Sequence, residues 1–227
     1  MSLDVDQITT ITVDSYGTLV DPSAVEAALA EHVEETTAIS NHWRSRSLMY
    51  TMVSNEIGAY QPFYEMNRDA LAHALATHDV ELDDATVDDI LSTYHELRVF
   101  DDVRDGLAEI TDAGYDVYVL SNGNPEMLQS MVEHAQITDL IADTISADEI
   151  QTFKPAVELY QHAAARTGTP IGEVAHVSGP SFDVQGAMNA GMQGVWLNRN
   201  DAPWDAFAPV PSLTISSFHD LVTQLIQ

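Results

Sequence analysis

The 227-residue chain has no cysteine, which excludes disulfide bonds, thiolate nucleophiles and metal sites built on cysteine. It also lacks any apolar run near the roughly 18 residues that a membrane-spanning helix requires. The first residues, MSLDVDQ, are acidic and have neither the basic start nor the apolar stretch of a signal peptide. We therefore expect a cytoplasmic protein with no membrane as its partner.

Basic residues are scarce as well. The chain carries seven arginines and one lysine, Lys154, against 36 acidic residues, and its formal net charge is -28. Such a surface repels nucleic acid, so none is expected as a partner. Self-repulsion destabilises a compact fold at low salt, and molar salt screens it by shortening the Debye length to about 3 Å. We expect a protein from a halophilic archaeon; an ordinary acidic mesophilic enzyme is the alternative.

The hydrophobic pattern changes along the chain. Residues 8–13 (ITTITV) are rich in β-branched side chains and predict a buried strand that ends at Asp14. Between residues 21 and 97, apolar residues recur at spacings of three and four, which predicts four amphipathic helices without a strand. A block of helices after a single strand indicates a helical cap inserted into another domain.

From residue 98 onward, predicted strands and helices alternate. This alternation implies a parallel sheet covered by helices on both faces. The predicted fold class is therefore α/β, with a Rossmann-like doubly wound parallel sheet. We assign residues 1–20 and 98–227 to this core and residues 21–97 to the α-helical cap.

Several helix ends are marked by particular residues. Asn124 followed by Pro125 predicts a capped helix start, and Pro155 is expected to open a further helix. Ser217 and Asp220 stand three residues apart, as in a capping box, and predict the start of the last helix.

Polar residues stand at or near the ends of the predicted strands: Asp14, Ser121, Lys154, Ser178 and Asp183. Because loops at the carboxyl ends of parallel strands converge on one crevice, we expect these side chains in one site. A lysine near an aspartate favours the ionised carboxylate. The alternatives without a function are Asp14 as a turn or capping residue and Lys154 as an incidental surface lysine.

Five ordered segments resemble motifs of the haloacid dehalogenase superfamily. VDSYGTLVD, at residues 13–21, resembles the first motif. Phosphatases of that superfamily usually have a second aspartate two residues after the first, whereas this chain has Tyr16, as the L-2-haloacid dehalogenase (type II) branch does. The other segments are HWRSRSLMYT, LSNGNPEML, FKPAVELY and VSGPSFDVQGAMNAG, so the resemblance covers almost the whole chain.

The resemblance implies hydrolytic dehalogenation of short L-2-haloalkanoic acids to 2-hydroxy acids. The reaction would pass through an aspartyl ester, with inversion at C2 and without a cofactor. The implied catalytic residues are Asp14 as nucleophile, Arg44 for the departing halide, Lys154 as the positive charge and Asp183 for the hydrolytic water. The implied substrate-binding residues are Tyr16, Thr18, Ser121, Asn122, Tyr160, Ser178 and Phe182. Relatives of this branch are often dimers, so a homodimer is a further expectation.

The fourth motif bears on metal binding. Phosphatases of the superfamily commonly have Gly-Asp-Ser-x-x-Asp there, with carboxylates that hold Mg²⁺. This chain has Gly179 in place of the first of those carboxylates. We therefore expect a metal-free site in which Lys154 supplies the charge.

Two residues depart from the dehalogenase pattern. Pro180 stands where the branch typically has an asparagine that helps to fix the hydrolytic water, and proline has neither a polar side chain nor a backbone N–H. Phe182 stands where the branch often has tryptophan. Two alternatives stay open: a phosphatase of the same superfamily, or a catalytically impaired protein that binds small acids.

Overall fold

A computed structural model describes residues 2–207 and 209–226 of the chain. Its strands are β1 (Thr10–Val13), β2 (Val20–Asp21), β3 (Arg98–Val99), β4 (Asp116–Ser121), β5 (Asp143–Ser146), β6 (Val174–Ser178), β7 (Gln193–Leu197) and β8 (Leu213–Ile215). Six of them form one parallel sheet in the order β5-β4-β1-β6-β7-β8. The predicted doubly wound parallel sheet is confirmed.

Helices cover this sheet and form the insert. They are α1 (Ala24–Ala30), α2 (Thr36–Ile57), α3 (Phe63–Thr77), α4 (Asp84–Ser92), α5 (Val103–Asp112), α6 (Pro125–His134), α7 (Val157–Thr167), α8 (Ser181–Ala190) and α9 (Phe218–Leu225). Helix α5 packs against α9, and α7 packs against α8. Among the described residues, no helix is long and apolar enough to cross a bilayer.

Strand β1 lies in the middle of the sheet. All of its residues are buried, as the β-branched run predicts, and it pairs in parallel with β4 on one side and β6 on the other. The chain runs from β1 outward to β5 and then crosses to β6 on the opposite side. Asp14 follows β1 at this reversal, where open α/β sheets bind their ligands.

The four helices predicted between residues 21 and 97 are present as α1 to α4. They lie between β2 and β3, which pair as a short antiparallel ribbon through Val20 with Val99 and Asp21 with Arg98. We call helices α1 to α4 the helical insert. Helix α2 packs along α3, and the buried Trp43 donates from its Nε1 to the carbonyl oxygen of Asn67 at 2.8 Å.

The helix expected to open at Pro155 begins later. Ala156 is extended, the helix starts at Val157, and the peptide bond between Lys154 and Pro155 is cis. The backbone N–H of Ala156 instead donates to Phe153, which closes a turn before the helix. That prediction was wrong because a helix start and a tight turn both favour proline.

The other two predicted caps have different outcomes. Ser217 and Asp220 form a capping box at the start of α9, as predicted. Asn124 occupies the N-cap position of α6, but its side chain makes no capping hydrogen bond. Its Oδ1 accepts from the backbone N–H of Tyr64 at 3.3 Å, so this side chain joins the core to the helical insert.

Candidate active site

A cavity of about 370 Å³ lies between the carboxyl ends of the central strands and the helical insert. We call the core side of this cavity the floor and the insert side the roof. The floor is lined by Asp14, Tyr16, Gly17, Ser121, Asn122, Lys154, Pro180, Ser181 and Phe182. The roof is lined by Pro22, Arg44, Ser47, Leu48, Phe63, Asn67 and Tyr94. The cavity is therefore mostly apolar, with its charge concentrated in three side chains.

Asp14 is held in place from three directions. Its backbone N–H donates to the carbonyl oxygen of Val177 at 2.9 Å, which extends the pairing between β1 and β6. Lys154 donates to Oδ1 at 2.9 Å, and the hydroxyl of Thr18 donates to Oδ2 at 2.8 Å. Both oxygens of the carboxylate are thus fixed by neighbouring side chains.

Lys154 bridges the carboxylates of Asp14 and Asp183. The side chain is 1% exposed, and its ammonium donates to Asp14 and, at 2.6 Å, to Oδ2 of Asp183. Its backbone N–H donates to Oδ1 of Asn122 at 2.8 Å, which fixes the loop that carries it. A fully buried ammonium is tolerated only when it is paired, so the surface-lysine interpretation is wrong.

Asp183 lies below the floor and is fully enclosed. Tyr160 donates to its Oδ1 at 2.7 Å, while Oδ2 accepts from Lys154. Nε2 of His176 lies 3.0 Å from the same Oδ2, although the contact lacks the direction of a regular hydrogen bond. Nδ1 of His176 lies 2.9 Å from the hydroxyl of Thr12.

The environments of the two carboxylates shift their pKa values in opposite directions. Burial raises the pKa of Asp14, and the charge of Asp183 adds to this, while Lys154 opposes both. Burial alone would raise the pKa of Asp183 too, but His176 and Lys154 hold that pKa well below its ordinary value. Burial alone would lower the pKa of Lys154, yet the two carboxylates keep it above its ordinary value.

Arg44 reaches the cavity from α2 in the roof. Its Nη2 donates to Glu26 at 3.2 Å and to the hydroxyl of Ser40 at 3.0 Å. The side chains of Arg44 and Glu26 are 38% and 30% exposed. This ion pair is therefore weak and partly solvated, and the guanidinium retains N–H groups that can face a ligand.

The residues predicted from sequence divide into two groups. Seven line the cavity: Asp14, Tyr16, Arg44, Ser121, Asn122, Lys154 and Phe182. Four lie behind the lining and contact one another, the first group or the nearby backbone: Thr18, Tyr160, Ser178 and Asp183. Direct substrate contact by Thr18, Tyr160 and Ser178 has no support in this geometry, because none of these side chains lines the cavity.

Four further residues belong to the site but were not predicted from the sequence: Ser15, Glu26, Asn67 and His176. The hydroxyl of Ser15 lies 2.6 Å from that of Ser121. A histidine inside a predicted apolar strand could have drawn attention to His176. Nothing in the helical periodicity distinguishes Glu26 or Asn67 from ordinary surface or buried positions. These two residues could therefore be identified as part of the site only from the structure.

Gly179 and Pro180 have structural roles beside the floor. A Cβ placed on Gly179 would lie 2.3 Å from the carbonyl oxygen of Gly17, so no side chain fits there without a shift of the backbone. The backbone N–H of Gly179 donates to Thr18 at 2.9 Å. Pro180 lines the cavity and accepts from the backbone N–H of Asp183 at 3.2 Å, at the start of α8.

Comparison with known proteins gives one consistent family. Residues 8–191 match the family model for haloacid dehalogenase-like hydrolases. The chain is similar to (S)-2-haloacid dehalogenase 4A from Burkholderia cepacia, with 34% identity over 91% of this chain and 90% of that protein. It is also similar to (S)-2-haloacid dehalogenase 1 from Pseudomonas sp. (strain CBS-3), with 32% identity over 90% and 91%.

Solved structures agree with this result. A crystal structure described as that of a dehalogenase superposes with a TM-score of 0.92 at 32% identity, covering 98% of this chain and 99% of that one. The L-2-haloacid dehalogenase from Xanthobacter autotrophicus with chloropropionic acid covalently bound has a TM-score of 0.88 at 29% identity, over 96% and 98%. The chain therefore belongs to the haloacid dehalogenase-like hydrolases and, within them, to the family of the (S)-2-haloacid dehalogenases.

Proposed function

We propose that this protein hydrolyses short (S)-2-haloalkanoic acids to 2-hydroxy acids through an ester of Asp14, with inversion at C2. The observation that carries this proposal is the Asp14 carboxylate, which faces a mostly apolar cavity while Lys154 and Thr18 hold its oxygens. The family relatives, which include a dehalogenase with covalently bound chloropropionic acid, support it.

In the first step, a carboxylate oxygen of Asp14 forms a bond to C2 of the substrate. The bond from C2 to the halogen breaks, and its electron pair leaves with the halide. This is nucleophilic catalysis by a carboxylate, and a halide needs no proton to leave. Tyr16, with its buried phenol, therefore fits this reaction better than a phosphatase reaction, which benefits from an acid at that place.

Positive charge and N–H groups around the cavity would stabilise the groups that carry negative charge. Arg44 enters from the roof and Asn122 from the floor, and we assign both to the departing halide. Lys154 and Ser121 line the floor and would receive the substrate carboxylate. Donors of this kind, aimed at developing charge, are each worth about 3 kcal/mol in a water-excluded site.

In the second step, water adds to the ester carbonyl carbon of Asp14. The bond to the former substrate oxygen breaks, the 2-hydroxy acid leaves, and the carboxylate is restored. We propose Asp183 as the residue that assists this water. Asp183 is 1% exposed and lies behind the cavity lining, so water reaches it only if neighbouring side chains such as Lys154 move.

We propose that the reaction is independent of metal, because the residues do not suit a magnesium ion. The two carboxylates of the site, Asp14 and Asp183, both bind the Lys154 ammonium, which stands between them. Gly179 stands at the position of the first carboxylate of the fourth motif, and a Cβ placed there would lie 2.3 Å from the carbonyl oxygen of Gly17. Mg²⁺ requires close to ideal octahedral oxygen ligation, which this set does not offer. Turnover should therefore be insensitive to EDTA.

Several broader expectations stay proposals. We propose that residues 21–97 act as a cap that closes over the core formed by residues 1–20 and 98–227.

We also propose that the protein comes from a halophilic archaeon and is located in its cytoplasm. The net charge of -28 supports the halophilic origin. Unfolding free energy that rises steeply up to molar KCl would agree with it, and equal stability without salt would contradict it.

The homodimer also stays a proposal. Helix α2 exposes four apolar side chains: Met49, Met52, Val53 and Ile57. Light scattering in molar KCl would give the mass in solution, and a mass of one chain would contradict a dimer.

The test of the proposed function is hydroxy-acid formation from (S)-2-bromopropanoate in molar KCl, followed by chromatography. Wild-type protein should form 2-hydroxypropanoate with or without EDTA, and Asp14→Asn should not. Asp101→Asn, on an exposed carboxylate of the core, is the matched control and should act as wild type. No product but a stable ester on Asp14 would mean that Pro180 has disabled hydrolysis. Phosphate release from a phosphate ester, without dehalogenation, would support the phosphatase alternative.

A further inference from the structure

One side chain of the helical insert binds the backbone directly before Lys154. Nδ2 of Asn55, near the end of α2, donates to the carbonyl oxygen of Phe153 at 2.8 Å, and its Oδ1 accepts from the backbone N–H of Phe153 at 2.9 Å. The amide thus pairs with both polar backbone groups of one residue, and only this orientation makes both contacts hydrogen bonds. We call these two bonds the Asn55 clasp.

The segment that the clasp holds is fixed from the core as well. The backbone N–H of Lys154 donates to Oδ1 of Asn122 at 2.8 Å, and the carbonyl oxygen of Phe153 also accepts from the backbone N–H of Ala156 at 3.1 Å. The ring of Phe153 is fully buried. The backbone that carries Lys154 therefore lies between two amide side chains, one from the core and one from the insert.

The position of this backbone determines where the Lys154 ammonium lies. Its Nζ donates to Asp14 at 2.9 Å and to Asp183 at 2.6 Å, and the side chain is 1% exposed. Charge-assisted hydrogen bonds of this kind have a narrow range of lengths. Because the enclosed side chain already spans both carboxylates, a shift of its backbone lengthens at least one of these bonds.

Helix α2 connects the clasp to the roof of the cavity. Arg44 and Asn55 stand eleven residues apart on α2, which is about three turns, so they leave the helix on nearly the same face. Arg44 lines the cavity, whereas Asn55 binds the loop before α7. The placement of one helix therefore affects both the guanidinium in the roof and the backbone of Lys154 in the floor.

We propose that Asn55 is a positioning residue of the active site. By holding the backbone of Phe153 it keeps Lys154 between the two carboxylates, so the nucleophile has its full support only while α2 is seated on the core. The alternative is a clasp that only attaches the insert to the core. The kinetic test of this inference rests on the proposed function.

Asn55→Leu tests the proposal, because leucine has nearly the same size and removes both bonds of the clasp. The readout is the rate of ester formation on Asp14 from (S)-2-chloropropanoate in a single turnover, measured against pH in molar KCl. Burial raises the pKa of Asp14 and Lys154 opposes this, so a displaced ammonium should move the acid midpoint of the rate upward by about 0.5–1 pH unit. The plateau rate should fall about 10-fold.

The midpoint separates positioning from a loss of folded protein. Partial unfolding lowers the amount of active protein and leaves the midpoint where it is. Asn55→Leu also keeps every titratable side chain that faces the nucleophile. These side chains are Lys154, Asp183, Tyr16 and Tyr160.

Two further variants complete this test. Asn55→Ala, at a half-buried position, should move the midpoint in the same direction. Tyr60→Phe keeps the ring that stacks on Phe153 at 4.9 Å and removes the bond from its hydroxyl to Asp148, which also joins the insert to the core, so the midpoint should stay at the wild-type value. Midpoints within about 0.2 pH unit of wild type in both Asn55 variants, or an equal shift in Tyr60→Phe, would overturn the proposal.

Failure of the proposed function gives a different result. Wild-type protein that forms neither ester nor hydroxy acid from (S)-2-chloropropanoate would contradict the reaction, and the position of Lys154 would then be measured without it. Because Lys154 is the single lysine of the chain, lysine labelled at Nζ with heavy nitrogen gives one ammonium signal in the NMR spectrum. A signal in Asn55→Leu that matches wild type would overturn the positioning role. A changed signal there, with an unchanged one in Glu56→Gln at the exposed neighbouring position, would support it.

Discussion

The floor and the roof of the cavity hold their charged side chains differently. In the floor, Lys154 is 1% exposed and donates to two buried carboxylates, and each of those carboxylates has a further hydroxyl donor. In the roof, Arg44 is 38% exposed and shares one nitrogen between Glu26 and Ser40. The floor is therefore a closed network, while the roof keeps donors free for a ligand.

This difference has a consequence for mutations. Removal of one member of the floor network leaves buried charges unpaired, so it should damage both stability and activity. Removal of the partly solvated Arg44 side chain costs little in the free protein, because water can replace its lost contacts. Variants of Arg44 should therefore affect activity much more than folding.

The largest effect is expected for Lys154→Met. Two carboxylates would be left buried without a cation, which should reduce the unfolding free energy by about 3–5 kcal/mol at pH 7. Activity should fall at least about 1,000-fold, because Asp14 would lose the cation that favours its ionised form and the substrate carboxylate would lack its partner. Chemical denaturation and product assays in molar KCl measure the two effects.

The pH dependence of this variant has a defined sign. Burial and the charge of Asp183 already raise the pKa of Asp14, and loss of Lys154 removes the cation that opposes this. A carboxyl group whose folded pKa lies above its unfolded value favours folding only while protonated, so the stability deficit should be largest at pH 7 and shrink below about pH 4. A deficit that is the same at both pH values would contradict the closed network. Lys154→Arg retains the charge and serves as the control.

A smaller effect is expected for Arg44→Ala in the roof. Its kcat/KM should fall about 100-fold through loss of halide stabilisation, while the unfolding free energy should change by less than about 1 kcal/mol. Glu26→Gln is the matched variant, because it removes the ion pair and retains the guanidinium. It should change kcat/KM by less than about threefold, and a loss as large as that of Arg44→Ala would assign the effect to the ion pair instead.

The smallest expected effect is the pH dependence of ester formation in the wild-type protein. Only ionised Asp14 can attack carbon, and burial raises its pKa above the ordinary value of 3.8. The rate of ester formation in a single turnover should therefore decline on acidification, with a midpoint above that value. Quenched-flow mass spectrometry measures this rate. A midpoint at or below the ordinary aspartate value would contradict the assigned burial.

Much of the floor could be predicted from the sequence. Asp14, Ser121 and Lys154 stand at the ends of apolar runs, and the doubly wound sheet brings such ends together whatever the loops do. Because Lys154 is the single lysine of the chain, its presence favoured a functional role for it. The insert was predictable as four helices from periodicity, and Asn124 with Pro125 marked the start of α6 correctly. The helix start predicted at Pro155 was wrong, because proline favours tight turns as well as helix starts.

The roof could not be predicted in the same way. Helical periodicity shows which face of a helix is buried, but not whether that face meets a core or a cavity. Asn67 on α3 therefore looks like any polar residue in an amphipathic helix until the fold places it at the wall of the cavity. For a related reason, the sequence could not show that Thr18 contacts Asp14 and Tyr160 contacts Asp183, because a motif does not say which group a side chain contacts.

The central claim is that Asp14 becomes covalently esterified and that water then attacks its carbonyl carbon. Multiple turnovers of (S)-2-chloropropanoate in heavy-oxygen water, followed by digestion and mass spectrometry, test this most directly. The account predicts that heavy oxygen accumulates in the peptide that contains Asp14. Label in the 2-hydroxypropanoate from a single turnover, with none in that peptide, would show direct attack of water on C2 and contradict the account.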